Sequence, residues 1–205
     1  MKIKFAKSPL DNRDYKATSF IDNSIELPNW YLAPQTRVRC QWFSSECVAF
    51  ACTQAMSQQE AMTGKYNIYS PHYIYETREA KEDGWYVRAC LKNLQKIGTI
   101  SNDKQLHKIK SYFRCNSIDE VKRCIMQNGC VITSCDVRGK DWFLKSKIDI
   151  KQKEKELICG HAFIIIGWED DYWIVQDSYS IFRPFLGKFK IDMLYPLDEF
   201  WGITF

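Results

Sequence analysis

The chain has 205 residues, of which 45% are hydrophobic and 26% are charged, and its formal net charge is +4 at pH 7. These values are typical of a folded globular protein and exclude a disordered or fibrous chain, and the basic residues are too evenly spread to favour nucleic-acid binding. The longest nearly uncharged apolar stretch, 157–168, is too short to cross a bilayer.

The nine cysteines are an odd number, and no two of them form a CxxC motif. We therefore expect neither a zinc site nor a complete disulfide framework, and no cofactor. The first residues, MKIKFAKSPLDNRDYK, lack the apolar centre of a secretory signal. The sequence predicts a cytoplasmic protein whose thiols stay reduced.

The first half of the chain favours helices. Prolines and turn-forming residues in the first forty positions predict an extended segment that wraps a surface. Apolar residues at helical spacing over 47–63 predict a helix with one apolar face that ends at Gly64, and two shorter helices are expected after Ser70 and over 86–96. Ser117 to Glu120 is a capping box, which predicts a connecting helix over 121–127.

After Gly129 the pattern changes to short β-rich runs, at 130–137, 161–168, 172–176 and 187–191. The charged stretch 145–156 has no apolar period and predicts a solvated loop. Together these elements predict an α+β protein that forms one unit over 1–205. Its mainly helical lobe with the N-terminal wrap covers 1–115, its β-rich lobe covers 116–205, and a cleft lies between them.

Three residues form a candidate set for nucleophilic catalysis. Cys47 stands at the predicted start of a helix, where unpaired N–H groups and the helix dipole favour a thiolate, although a simple packing role is the alternative. His161 opens one predicted strand and Asp177 follows the next, so a hairpin would bring a base and its orienting carboxylate together. The Cys47 N–H and the Gln41 side-chain amide would supply donors for an oxyanion.

The same residues carry a resemblance. Gln41, Cys47 to Ala51, Gly160-His161-Ala162 and Asp177-Ser178-Tyr179 resemble the papain-like cysteine peptidases, in the same order and over nearly the whole chain. The resemblance implies a papain-like two-lobe fold, in which a helical N-terminal lobe faces an antiparallel β-sheet or barrel and the active site lies in the cleft. It also implies a single catalytic domain over 1–205, of a short, intracellular, prodomain-less kind, with Cys47, His161, Asp177 and Gln41 as catalytic residues.

The departures from the family pattern concern the substrate. Trp42, Ser45, Glu46 and Val48 replace the family's glycines and tryptophan around the nucleophile, and we expect Glu46 to face solvent. Asp177 stands where the family usually has Asn. The carboxylate of Asp177 should hold an imidazolium more strongly than the amide of Asn would. Trp85 replaces a glycine of the acyl subsite, where it would cap that subsite or turn into the core. The residues predicted to bind substrate are Gly84, Trp85, Tyr86, Gly160, Tyr179 and Arg183.

The resemblance implies that Cys47 forms an acyl-thioester, and the sequence leaves its fate open. Transfer to water would make the protein a specialised peptidase or amidase, and transfer to an amine would make it an amide-forming acyltransferase, for example in thiotemplated peptide biosynthesis. The expected partners are a peptide or acyl-thioester substrate, including one bound to a carrier protein, and an amine acceptor, without nucleic acid or membrane. A catalytically inactive binding module is the alternative, and the retention of all four catalytic residues argues against it.

Overall fold

A computed structural model describes residues 8–9, 11–79, 84–179 and 187–205. These residues contain α-helices that all begin after position 46 and strands that lie mostly in the second half of the chain. The α-helices are α1 (Cys47–Ala61), α2 (Pro71–Tyr75), α3 (Val87–Lys96) and α4 (Ile118–Asn128). The strands are β1 (Trp30–Leu32), β2 (Thr99–Ile100), β3 (Leu106–His107), β4 (Ser111–Arg114), β5 (Val131–Arg138), β6 (Lys147–Ile148), β7 (Leu157–Glu169), β8 (Tyr172–Gln176), β9 (Lys188–Asp192) and β10 (Leu197–Thr204).

One eight-stranded sheet organises the fold. Its strands follow the order β4-β10-β5-β7-β8-β9-β6, and β1 adds to the end of β7. The pairs are antiparallel except for β6 with β9. Helices packed on an antiparallel-rich sheet form an α+β arrangement.

Strand β7 is buried on both faces, which explains its unbroken apolar run. Ala162, Ile164 and Ile166 pack in a core cluster with residues of α1, α2 and α3. The alternate residues Phe163 and Ile165 pack in a second cluster that includes residues of α4. Because successive side chains in a strand point to opposite faces, a strand between two layers needs apolar residues at every position.

Helix α1 is more deeply buried than its sequence pattern predicts. Thirteen of its fifteen residues are buried, including Thr53, Gln54 and Gln58. Hydrogen bonds satisfy these polar groups: Gln54 Nε2 donates to the hydroxyl of Thr36 at 2.6 Å, and Thr36 donates to Gln58 Oε1 at 2.9 Å. The predicted helix is present, and its polar side is buried as well because the segment before the helix covers it.

The charged stretch 145–156 was predicted as a solvated loop, and this prediction is wrong in part. Ile148 is fully buried and belongs to β6, which pairs with β9. Gln152 lies in a short 3-10 helix (Ile150–Glu154), and its amide donates to the Arg138 carbonyl at 2.6 Å. Two buried side chains thus hold this segment against the sheet, although its other residues are mostly charged.

No helix within the described ranges is long and apolar enough to cross a membrane.

Candidate active site

Cys47 is the first residue of α1 and is 4% exposed. The preceding residue, Glu46, occupies the N-cap position, and its side chain makes no capping hydrogen bond. The N–H groups of the first turn have no partner within the helix, and the helix dipole adds partial positive charge at this end. The Cys47 sulfur therefore stands where the backbone favours negative charge.

His161 and Asp177 form a buried pair beside this cysteine. Nε2 of His161 lies 2.7 Å from Oδ1 of Asp177, and the two side chains are 2% and 0% exposed. The β7–β8 hairpin explains the approach, because Ile164 pairs with Gln176 and Asp177 is the next residue along the chain. The backbone N–H of Asp177 donates to the Gly187 carbonyl at 2.8 Å, which fixes the end of this strand.

The imidazole of His161 is held in its charged form by its neighbours. Burial lowers the pKa of His161, but the charge and hydrogen bond of Asp177, together with a hydrogen bond to Cys47, outweigh this effect and raise the pKa to about 9. Since Asp177 occupies Nε2, Nδ1 is the nitrogen left for the Cys47 thiol. A thiolate and an imidazolium can thus stabilise each other.

The Gln41 side chain is buried in a network of hydrogen bonds. Ser178 Oγ donates to Oε1 at 2.5 Å, and Nε2 donates to the Ser44 carbonyl at 2.6 Å and to the Tyr179 hydroxyl at 3.3 Å. The Gln41 backbone N–H also donates to the Ser178 carbonyl at 2.8 Å. The loop before Cys47 is therefore tied to the residues that follow Asp177.

Two aromatic rings pack against the His161 imidazole. The ring centroid of Tyr179 lies 5.1 Å from that of His161, and the centroid of Phe143 lies 5.9 Å away. The rings of Phe143 and Tyr179 are 4.6 Å apart. Sequence reasoning missed Phe143, because it lies in the β5–β6 connection at no recognisable distance from a motif.

We predicted that Glu46 faces solvent, and this prediction is wrong. Its side chain is 14% exposed, and its Oε2 lies 2.6 Å from Nδ1 of His72 on α2. The His72 side chain is 69% exposed, and its ring packs on the ring of Phe50 at a centroid distance of 5.8 Å. The pair forms because α2 crosses close to the start of α1, which no local sequence signal indicates.

The residues predicted to bind substrate do not all lie beside the Cys47 and His161 side chains. Gly160 precedes His161 in β7, and Gly84 has a φ of 89°. Trp85 is half-buried and packs on the Tyr75 ring at a centroid distance of 6.2 Å.

Tyr86 is 39% exposed and lines a separate cavity of about 560 Å³ together with Asp14 and Arg88. Arg183 lies outside the described residues. Within the described part of the chain, no group of His, Cys, Asp and Glu side chains is arranged to hold a metal ion.

Comparison with known proteins identifies the family to which this chain is similar. Residues 17–181 match the family described as "Papain family cysteine protease". A search of curated proteins found no match.

Solved structures with a similar fold include three cysteine proteases or their proforms. Xylellain from Xylella fastidiosa is 19% identical with a TM-score of 0.84, and the match covers 99% of this chain and 97% of xylellain. ProCathepsin B S9 from Trypanosoma congolense is 12% identical with a TM-score of 0.80, over 98% and 85% of the two chains. The Carica candamarcensis protease CMS1MS2, in complex with E-64, is 15% identical with a TM-score of 0.72, over 87% and 99%.

The fold and the family match define a cysteine-nucleophile hydrolase. The chain belongs to the papain family of cysteine proteases, because the family match covers most of its length. The predicted family and the predicted α+β papain-like fold are thereby confirmed.

Proposed function

We propose that this protein is a specialised cysteine peptidase or amidase in which Cys47, His161 and Asp177 act as a catalytic triad. The observation that carries the proposal is the buried His161, which is hydrogen bonded to Asp177 at 2.7 Å and whose pKa is raised by Asp177 and by the neighbouring Cys47. The Cys47 thiolate attacks the substrate carbonyl, and His161 gives its proton to the leaving amine as the C–N bond breaks. Asp177 orients the imidazole and stabilises its charge.

The tetrahedral intermediate carries a negative oxygen that needs donors. The backbone N–H of Cys47 at the start of α1 and the Nε2 of Gln41 are the groups proposed for this role. Ser178 and Ser44 orient the Gln41 amide by holding its oxygen and its nitrogen. Water then attacks the thioester, His161 accepts a proton from it, and the free acid and the thiolate are restored.

Amide formation is the second candidate, in which an amine resolves the thioester instead of water. One observation favours it: Phe143 and Tyr179 pack against His161, which is only 1% exposed. An amine with a flat apolar substituent would pack on these rings and exclude water from the thioester. The acyl donor in both cases is a peptide or an acyl thioester.

Intact mass spectrometry tests the proposal. The purified protein is incubated with peptidyl amides and acyl thioesters, with and without added amines. An acyl adduct on Cys47 that water or an amine removes supports the mechanism, and the reagent that removes it distinguishes the two candidates. Iodoacetamide labelling provides the control: a binding module would show no selective, pH-dependent labelling of Cys47 among the nine cysteines.

A further inference from the structure

The Tyr179 hydroxyl lies at the amide of Gln41, where the proposed oxyanion would bind. An amide nitrogen has two hydrogens, and those of Gln41 Nε2 point to the Ser44 carbonyl at 2.6 Å and to the Tyr179 oxygen at 3.3 Å. The Ser44 carbonyl can only accept, and Ser178 donates to Oε1 at 2.5 Å, so the amide cannot rotate without losing both contacts. Gln41 therefore has a single N–H to offer, which is the one directed at Tyr179.

This arrangement makes the phenol a donor when a substrate is bound. While it accepts from Gln41, the Tyr179 oxygen directs its own hydrogen away from that amide. An oxyanion that binds the Gln41 N–H takes the place of the phenol as acceptor and lies next to the phenol O–H. Burial, and then the charge of the Cys47 thiolate, raise the pKa of Tyr179, so the phenol keeps its proton at neutral pH.

The phenol is also held in position before the reaction. Its ring packs on His161 at 5.1 Å and on Phe143 at 4.6 Å, and the Tyr179 backbone N–H donates to Asp177 Oδ1 at 3.3 Å. Because these contacts hold the ring, the hydroxyl needs only a small adjustment to donate to the oxyanion when charge develops.

We propose that Tyr179 is a catalytic residue whose hydroxyl donates a hydrogen bond to the oxyanion, beside the Gln41 amide and the Cys47 backbone N–H. The inference rests on the proposed function, because the oxyanion exists only if Cys47 attacks a carbonyl. It differs from a substrate-contact role in that the phenol acts on the reacting oxygen itself.

Tyr179→Phe tests the proposal, because it removes the hydroxyl and retains the ring contacts. We expect kcat to fall by about 10-fold or more. This decrease is smaller than the decrease in kcat that the loss of a principal oxyanion donor causes. The probe is the most rapidly hydrolysed member of a fluorogenic dipeptidyl-aminomethylcoumarin library. Tyr112→Phe is the matched control. Tyr112 is half-buried, packs on Trp201 and lies in β4, outside the site. The loss of its hydroxyl should leave kcat unchanged.

Alkylation by iodoacetamide separates the oxyanion role from an effect on the nucleophile. In this reaction the Cys47 thiolate forms a C–S bond to the methylene carbon of the reagent and iodide leaves, so no oxyanion forms. Its rate at Cys47 should be the same in Tyr179→Phe and the wild type at each pH. A slower alkylation that accounts for the whole loss of kcat would overturn the proposal and make Tyr179 a positioning residue for Cys47 and His161.

The Gln41→Ala background separates donation from support of Gln41. We expect Tyr179→Phe to lower kcat further in this background. No further loss would mean that Tyr179 acts only through Gln41, and an unchanged or increased kcat in the single variant would mean that the phenol merely competes for that amide; each result rejects the proposal. If the wild type neither hydrolyses the library nor shows selective labelling of Cys47, the proposed function fails and the role of Tyr179 fails with it.

Discussion

Replacement of Asp177 by Asn tests the electrostatic basis of the site most directly. The substitution preserves the size of the side chain and an oxygen that can accept from His161, but it removes the negative charge. Both partners are almost fully buried and their atoms are 2.7 Å apart, so little solvent screens the interaction.

The size of the effect follows from the pKa of His161. Asp177 and Cys47 raise this pKa from 6.5 to about 9 against the opposing effect of burial. Each pKa unit corresponds to about 1.4 kcal/mol, so the environment favours the charged imidazole by about 3 kcal/mol. In Asp177→Asn the opposing effect of burial remains and the charge is lost, so we expect the pKa of His161 to fall by about one unit or more.

Nuclear magnetic resonance can measure this pKa without a substrate. The chain has only three histidines, so the imidazole signals of His72, His107 and His161 can be assigned with single His→Gln variants. In the wild type the His161 signal should titrate near pH 9. A His161 pKa that is the same in the wild type and in Asp177→Asn would refute the reasoning, because Asp177 would then contribute no charge stabilisation.

The same shift predicts how stability depends on pH. The pKa of His161 is raised in the folded protein, so folding favours the protonated form. The resulting stabilisation is fully present below pH 6.5 and is lost as pH rises through about 9. Urea unfolding at a series of pH values should show this loss in the wild type, and a smaller loss at lower pH in Asp177→Asn.

Five other substitutions have defined expected results. Cys47→Ala and His161→Ala should abolish turnover, as measured with the fluorogenic library, and full activity in Cys47→Ala would rule out the mechanism. Gln41→Ala should lower kcat/KM by about 10²-fold to 10³-fold through the loss of an oxyanion donor, and an unchanged value would exclude that role. Gly167→Ala should reduce the free energy of unfolding by about 2–3 kcal/mol in urea titrations, because a Cβ would overlap the backbone of β1, and unchanged stability would mean that β1 can move away. Trp85→Ala should change which acyl groups are accepted in the library, and an unchanged profile would assign Trp85 to the core alone.

The described fold agrees with the sequence where local signals are strong. The predicted Ser117 cap is present: Ser117 Oγ accepts from the Glu120 N–H at 3.2 Å, and α4 begins at the next residue, Ile118. The Glu120 carboxylate accepts from the Asn116 N–H at 2.6 Å instead of the Ser117 N–H, so the second half of the capping box does not form. Strand β8 has the predicted bounds, and β7 extends the predicted run in both directions. Capping and periodicity depend on residues a few positions apart, so the chain itself contains the information.

Contacts between distant segments could not be predicted in the same way. The sequence pattern did not indicate that the polar side of α1 is buried, because the residues that cover it lie in a separate irregular segment before the helix. Strand β10, which pairs with both β4 and β5, has no clear alternating pattern and was missed. The pairing partner and the buried face of a strand depend on how the sheet is assembled.

By itself, the sequence determined the order of the candidate groups and their local settings: Cys47 at a helix start, His161 in a strand and Asp177 directly after the next one. These settings follow from helix and hairpin formation, which are local. Only the tertiary structure decided that Glu46 pairs with His72, that Phe143 reaches His161 and that the Tyr179 hydroxyl meets Gln41. The last of these contacts joins residues 138 positions apart, and its geometry depends on how the loop before α1 packs against the end of β8.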